Sequence, residues 1–249
     1  MADVLERGNI YFFYRPRVQE REAEGIEDVQ RFSLVLSPHG EHHHRLLIVG
    51  RKKLPELGSD GQRAWAYVAR VARTPAEIAD ELEQEVYTTR TRGERAQPAA
   101  RPAGEGVYAL ARHDDHVHLA YALELPAEPG EVQRALGIQE EGSYILAVKN
   151  PAVPAPPGVG LRPPRQADFP KWLQERFGER RFIAADPPDF LNYAGAELLL
   201  IGAAEDVSEE LGIRLNPQHE TEHTAEMFTQ LRLERTQHPV EPLFTGEWR

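Results

Sequence analysis

The sequence predicts an α+β fold: a largely antiparallel sheet made of two hairpin-plus-helix (ββα) units over residues 1–150, then a smaller α/β segment and a helical acidic tail. Three observations lead there. Val117, Leu119, Tyr121, Leu123 and Leu125 alternate with His116, His118, Ala120, Ala122 and Glu124, the period of a strand with one apolar face. Residues 66–82 (AYVARVARTPAEIADEL) align without gaps on residues 120–136 (AYALELPAEPGEVQRAL), which reads as a repeated strand followed by a proline-started helix, with Tyr67 matching Tyr121. Six prolines between residues 151 and 164 mark a boundary, beyond which residues 165–249 form the smaller segment.

The elements follow in order from local chemistry. The aromatic run IYFFY at residues 10–14 is a strand that stops at Arg15-Pro16. The charged stretch 19–28 lacks apolar periodicity and reads as a loop. Residues 32–36 and 46–49 make a hairpin across a turn containing His42, His43 and His44, and residues 65–71 form the next strand. Thr74-Pro75 then starts a helix to about residue 86, because proline at the first helical position gives up no intrahelical hydrogen bond. Residues 88–106, with four arginines, two prolines and three glycines, read as a flexible linker. Residues 107–112 pair with 117–125 across Asp114-Asp115, a helix follows over 129–136, and 143–148 is a strand. Past the boundary, 169–178 forms a short amphipathic helix carrying Trp172, Leu173 and Phe177, and strands at 181–184 and 196–201 flank Pro187-Pro188. From residue 205 onward the chain reads as mainly helical and acidic.

Composition removes several function classes. There is no cysteine among the 249 residues, so disulfide frameworks, thiolate nucleophiles and Cys-ligated metal centres are excluded. The longest apolar run is about half a membrane span, and the N-terminus has no apolar targeting core, so a cytoplasmic protein without membrane contact is expected. A net charge of −11 opposes the phosphate neutralisation that bulk DNA binding needs, though a local basic patch escapes that objection. Lysine occurs only at 52, 53, 149 and 171, and this arginine-heavy usage, with abundant alanine and proline, points to a GC-rich bacterial genome.

Four motifs invite chemistry. His219-Glu-Thr-Glu-His223 fits HExxH, which on a helix puts two imidazoles on one face for zinc with Glu220 activating water. Pro217 and the lack of an apolar face argue instead for a solvated acidic helix that starts at the motif. His113, His116 and His118 form the densest ligand-type cluster, with 116 and 118 on one strand face; a zinc or other divalent metal there would need further ligands from His42 to His44. The alternative for this cluster is a solvated or covered hairpin. Gly104, Gly106 and Ala109 match GxGxxA on paper, but the segment precedes a strand, whereas a dinucleotide fingerprint must open a helix. Finally, Arg51, Lys52 and Lys53 at a strand end, and Arg90, Arg92 and Arg95 in the linker, suit a phosphate-bearing or acidic partner.

No acid, base and nucleophile set converges on one element, so the expected function is non-catalytic binding or scaffolding with an unknown protein or small ligand, without a cofactor. A metal-dependent hydrolase using the histidine clusters is one alternative. An RNA- or nucleotide-phosphate-binding module using the basic loop is the other.

Overall fold

The computed structural model describes residues 2–20, 22–58, 62–91, 93–156, 158–218, 220, 224–233, 235 and 237–248. Among the described residues there are eleven strands: β1 (Asp3–Pro16), β2 (Val29–Pro38), β3 (His44–Val49), β4 (Arg63–Ala72), β5 (Glu85–Thr89), β6 (Gly93–Gln97), β7 (Arg101–His113), β8 (His116–Leu125), β9 (Glu141–Lys149), β10 (Phe182–Ala184) and β11 (Glu197–Gly202). Six short helices accompany them: α1 (Pro75–Ala79), α2 (Glu131–Leu136), α3 (Lys171–Phe177), α4 (Val207–Leu211), α5 (Glu226–Gln230) and α6 (Glu241–Phe244).

The expected α+β fold of ββα units is incorrect. The protein is mostly sheet, 39% strand against 18% helix, and eight strands close into an antiparallel barrel. Around the barrel the order is β8, β9, β11, β4, β3, β2, β1, β7 and back to β8. The two contacts that shut it join strands far apart in sequence. β1 pairs with β7, Tyr11 lying opposite Glu105, and β11 inserts between β4 and β9, with Leu199 opposite both Trp65 and Ala147. Residues 1–150 therefore supply seven of the staves, and β11, from beyond the proline-rich segment, completes the ring. β10 adds to β9 outside the ring, and β5 and β6 form a separate ribbon.

The interior is filled by inward side chains of alternating residues, as expected for eight strands, whose lumen is just wide enough for side chains. Phe12 meets Tyr121 edge to face at 5.1 Å, and Tyr121 stacks on Tyr144 at 6.3 Å. Gly106 is required where β7 crosses β8: a Cβ there would lie 2.1 Å from the Ala122 carbonyl oxygen. The GxGxxA segment is thus strand, and its glycines serve close packing of the wall.

The outer wall is also apolar. α1, α5, α6 and the chain between them cover Tyr11, Phe13, Val35 and Leu46, while α4 covers Ala109, Ala111 and Ala120. Two positions depart from the alternation pattern. Glu124, expected to be exposed, is buried, and Leu125 packs in the outer cluster instead of the lumen because the ladder slips at Glu105/Gly106. The aligned tyrosines also part company: Tyr121 points into the lumen, whereas Tyr67 lines the outside of β4.

Local corrections are smaller. α1 gives way to a 3-10 turn at residues 80–82, well short of residue 86. The stretch read as a linker holds the β5–β6 ribbon and the start of β7. Among the described residues, the tail read as mainly helical contains three helices of four or five residues, packed on the outer wall of the barrel. Among the described residues, no helix is long and apolar enough to cross a membrane.

Candidate functional site

With aromatic rings occupying the middle of the barrel, one of its ends is plugged by a polar network. Arg45 on β3 is fully buried and holds Glu6 on β1 bidentately, at 2.6 and 2.9 Å, while its Nε donates to Asn192 Oδ1 at 2.8 Å. The Tyr108 hydroxyl also donates to Glu6 at 2.6 Å, and burial beside that carboxylate pushes the phenol well above its ordinary pKa. Every strong donor in this set already has an acceptor. The network is a structural plug, and ligand chemistry must be sought on the outside.

There, the faces of β4 and β11, the edge strand β10 and loop residues 156 and 158–161 enclose a groove of about 700 Å³. Strand alternation sends Trp65 and Tyr67 outward from β4, and Leu199 and Glu197 outward from β11. Trp65 meets Phe182 of β10 edge to face at 5.7 Å, which makes an aromatic floor. Arg51, two residues past the end of β3, Arg63 at the start of β4, and Arg181 just before β10 stand on the rim, all three exposed. None of the three pairs with a described carboxylate.

The far wall is held by one side chain. Glu197 is buried, accepts the Leu161 amide at 2.8 Å and the Gln166 side-chain amide at 3.2 Å, and is neutralised by the buried Lys149 ammonium at 3.2 Å. Gly160 sits at φ +83°, and a Cβ on it would reach within 2.5 Å of Glu197 Oε1, so this tight approach needs glycine. The described lining contains no histidine, serine, threonine or aspartate, and its one carboxylate is committed to the wall. Free positive charge over an aromatic floor suits recognition of an anion with a flat apolar part.

Of the candidate site residues singled out from sequence, only Arg51 is among the described lining of this groove. Lys52 takes φ +63° in the turn, and Lys53 reaches Glu56 at 3.7 Å. Arg90 lies at the end of the β5–β6 ribbon, Arg95 is in β6 opposite Tyr87, and Arg92 lies outside the described residues. Sequence reasoning missed Arg63 and Arg181 because no local motif marks them; only the β4–β11–β9–β10 neighbourhood joins them to Arg51.

The histidine clusters do not converge. β3 and β8 stand on opposite sides of the eight-stave ring, so His44 and His118 are a barrel apart. His118 is buried with Nδ1 2.9 Å from Ser143 Oγ and 3.7 Å from Glu210, and burial lowers its imidazole pKa. His113 is a ring neighbour of His118 at 6.1 Å, whereas His116 is turned to Asp115 at 3.4 Å. His44 Nδ1 is 2.9 Å from Ser37 Oγ, and burial lowers its imidazole pKa as well. Among the described residues, no three ligand-type side chains are placed to hold a metal ion.

In the HExxH segment His219, Thr221, Glu222 and His223 lie outside the described residues. Gln218 and Glu220 are not helical, and α5 begins only at Glu226, past the motif. The expectation of a helix starting at the motif is therefore not met at its described positions. No protein-family model matches this chain, and comparison with curated proteins and with solved structures finds no match.

Proposed function

We propose that this chain is a non-catalytic binding protein of the cytoplasm, and that its ligand is an organic anion, phosphate- or carboxylate-bearing, with a flat apolar group. The observation that carries this reading is the groove: three guanidinium groups without a described carboxylate partner, Arg51, Arg63 and Arg181, around Trp65 and Phe182. A guanidinium offers a fork of donors to a phosphate or carboxylate, and the ring floor takes the apolar part of the ligand. Positive charge held at one groove on a chain of net charge −11 gives an anion a single favourable approach. The described lining holds no histidine, serine, threonine or aspartate, and its Glu197 is committed to the wall, which supports binding over turnover. The opposed placement of His44 and His118 weighs against the metal-dependent alternative.

The test is tryptophan fluorescence titration with ADP, adenosine and inorganic pyrophosphate. Saturable quenching by ADP that weakens with salt, with adenosine and pyrophosphate each weaker, is the expected pattern. Losing a charge-assisted pair in Arg63→Ala should weaken ADP binding by about tenfold or more. ADP affinity unchanged in both Arg63→Ala and Trp65→Ala would remove the groove from consideration.

A further inference from the structure

We propose that the described residues after Gly212, 213–218, 220 and 224–233, form a strap latched to the barrel by a proton shared between Glu105 of β7 and Glu220 of the strap, and that loss of this proton opens the strap. The observations are independent of the groove. Glu105 points outward from β7 beside Tyr11, is only 1% exposed, and lies beneath the strap. Its Oε1 accepts the Met227 amide at 3.1 Å, while its buried Oε2 receives no N–H or hydroxyl donor and faces the Glu220 carboxyl. Two carboxylates in that contact repel; a carboxylic acid and a carboxylate form a short, strong hydrogen bond.

Among the described residues, the surroundings supply no substitute for the proton. From the strap, Glu220 accepts the Glu226 amide at 3.0 Å, and the Glu226 carboxylate is held by Asn9 and Gln230. From the barrel, Glu124 of β8 accepts the Gln218 amide at 2.6 Å, and the Tyr11 hydroxyl donates to Gln230 at 3.0 Å. His39 reaches this region only through Asn9, at 2.8 Å. Among the described residues no cationic side chain pairs with Glu105, Glu124, Glu220 or Glu226, and none of these sets is arranged for a metal. Burial first, and the Glu220 charge second, raise the Glu105 pKa to about 9. Burial likewise raises Glu124 and Glu220. Beneath the latch, Met227, Leu231, Leu233 and Leu243 cover Tyr11, Phe13, Val35 and Leu46, so opening uncovers an apolar face of the barrel.

The unfolded or unstrapped chain ionises Glu105 at an ordinary carboxyl pKa, so it holds fewer protons than the closed form up to about pH 9. Closure is therefore strongest in acid and weakens as pH rises. Hydrogen–deuterium exchange of residues 224–233, corrected for the intrinsic rate at each pH, reads the latch directly. Wild-type protection should fall by about tenfold between about pH 8 and about pH 10, as one-proton linkage requires. Glu105→Gln, whose amide donates to Glu220 at every pH, should hold protection level over the same range. Glu220→Gln provides the donor from the strap side and should flatten the profile too, which keeps the test open if one variant folds poorly. Parallel profiles for wild type and both variants would overturn the proposal.

Discussion

Replacing Arg45 by methionine keeps the apolar stem in the lumen but removes the two donors to Glu6 at 2.6 and 2.9 Å and the one to Asn192 at 2.8 Å. Among the described residues, Glu6 then keeps only the Tyr108 hydroxyl at 2.6 Å as a partner, inside a water-poor barrel end. Removing one member of a buried, hydrogen-bonded pair costs about 3–5 kcal/mol, most of it the penalty of the charge left behind. At about 2–4 °C per kcal/mol for a chain of this size, the melting temperature should drop by roughly 6–20 °C. Urea unfolding of Arg45→Met, Glu6→Leu and the double variant gives the coupling directly. Because an apolar replacement of both partners is often neutral, the double variant should recover most of the loss. A single-variant loss below about 1 kcal/mol, the range of exposed pairs, would show that water reaches this end and that the plug reading is wrong.

Three further outcomes follow from the same structure. Leu119, inside the barrel and 1% exposed, should cost about 2–5 kcal/mol when replaced by alanine, read from the shift of the urea midpoint. His118 has a lowered pKa in the fold, so the unfolded chain binds more protons below about pH 6.5; stability should fall on acidification below that value, and the slope should shrink in His118→Asn. Glu197→Ala leaves Lys149 unpaired and frees the Leu161 amide, so exchange at residues 158–162 should quicken and the melting temperature should fall; unchanged exchange there would mean that the wall is held by something other than this carboxylate.

Local chemistry in the sequence was enough to locate strands within residues 3–16, 29–38, 44–49 and 116–125, since aromatic and β-branched runs ending in proline, glycine or aspartate are read within a few residues. Closure was not readable. It depends on β1 meeting β7 about a hundred residues later and on β11 entering between β4 and β9, and no spacing in either segment names its neighbour. The covering of the outer wall also blurred the alternation: Glu105 and Glu124 look like solvent-facing polar positions, yet the strap buries both. The proline, arginine and glycine content of residues 88–106 hid the β5–β6 ribbon, because turn residues were taken to mean a lack of structure. For the candidate site, Arg51 stood out within a basic run, while Arg63 and Arg181 acquire meaning only when the wall is assembled.

The late arrival of β11 has a consequence for synthesis. A nascent chain that has emerged only through β9 holds β4 and β9 with an unpaired edge each, and the segment that will occupy both is more than forty residues away. Such edges are templates for pairing with another copy, and long-range closure of this kind is slow. Polysomes making this protein therefore carry their most aggregation-prone intermediate between residues 149 and 202, and the interval ends when a single six-residue strand slides into the gap.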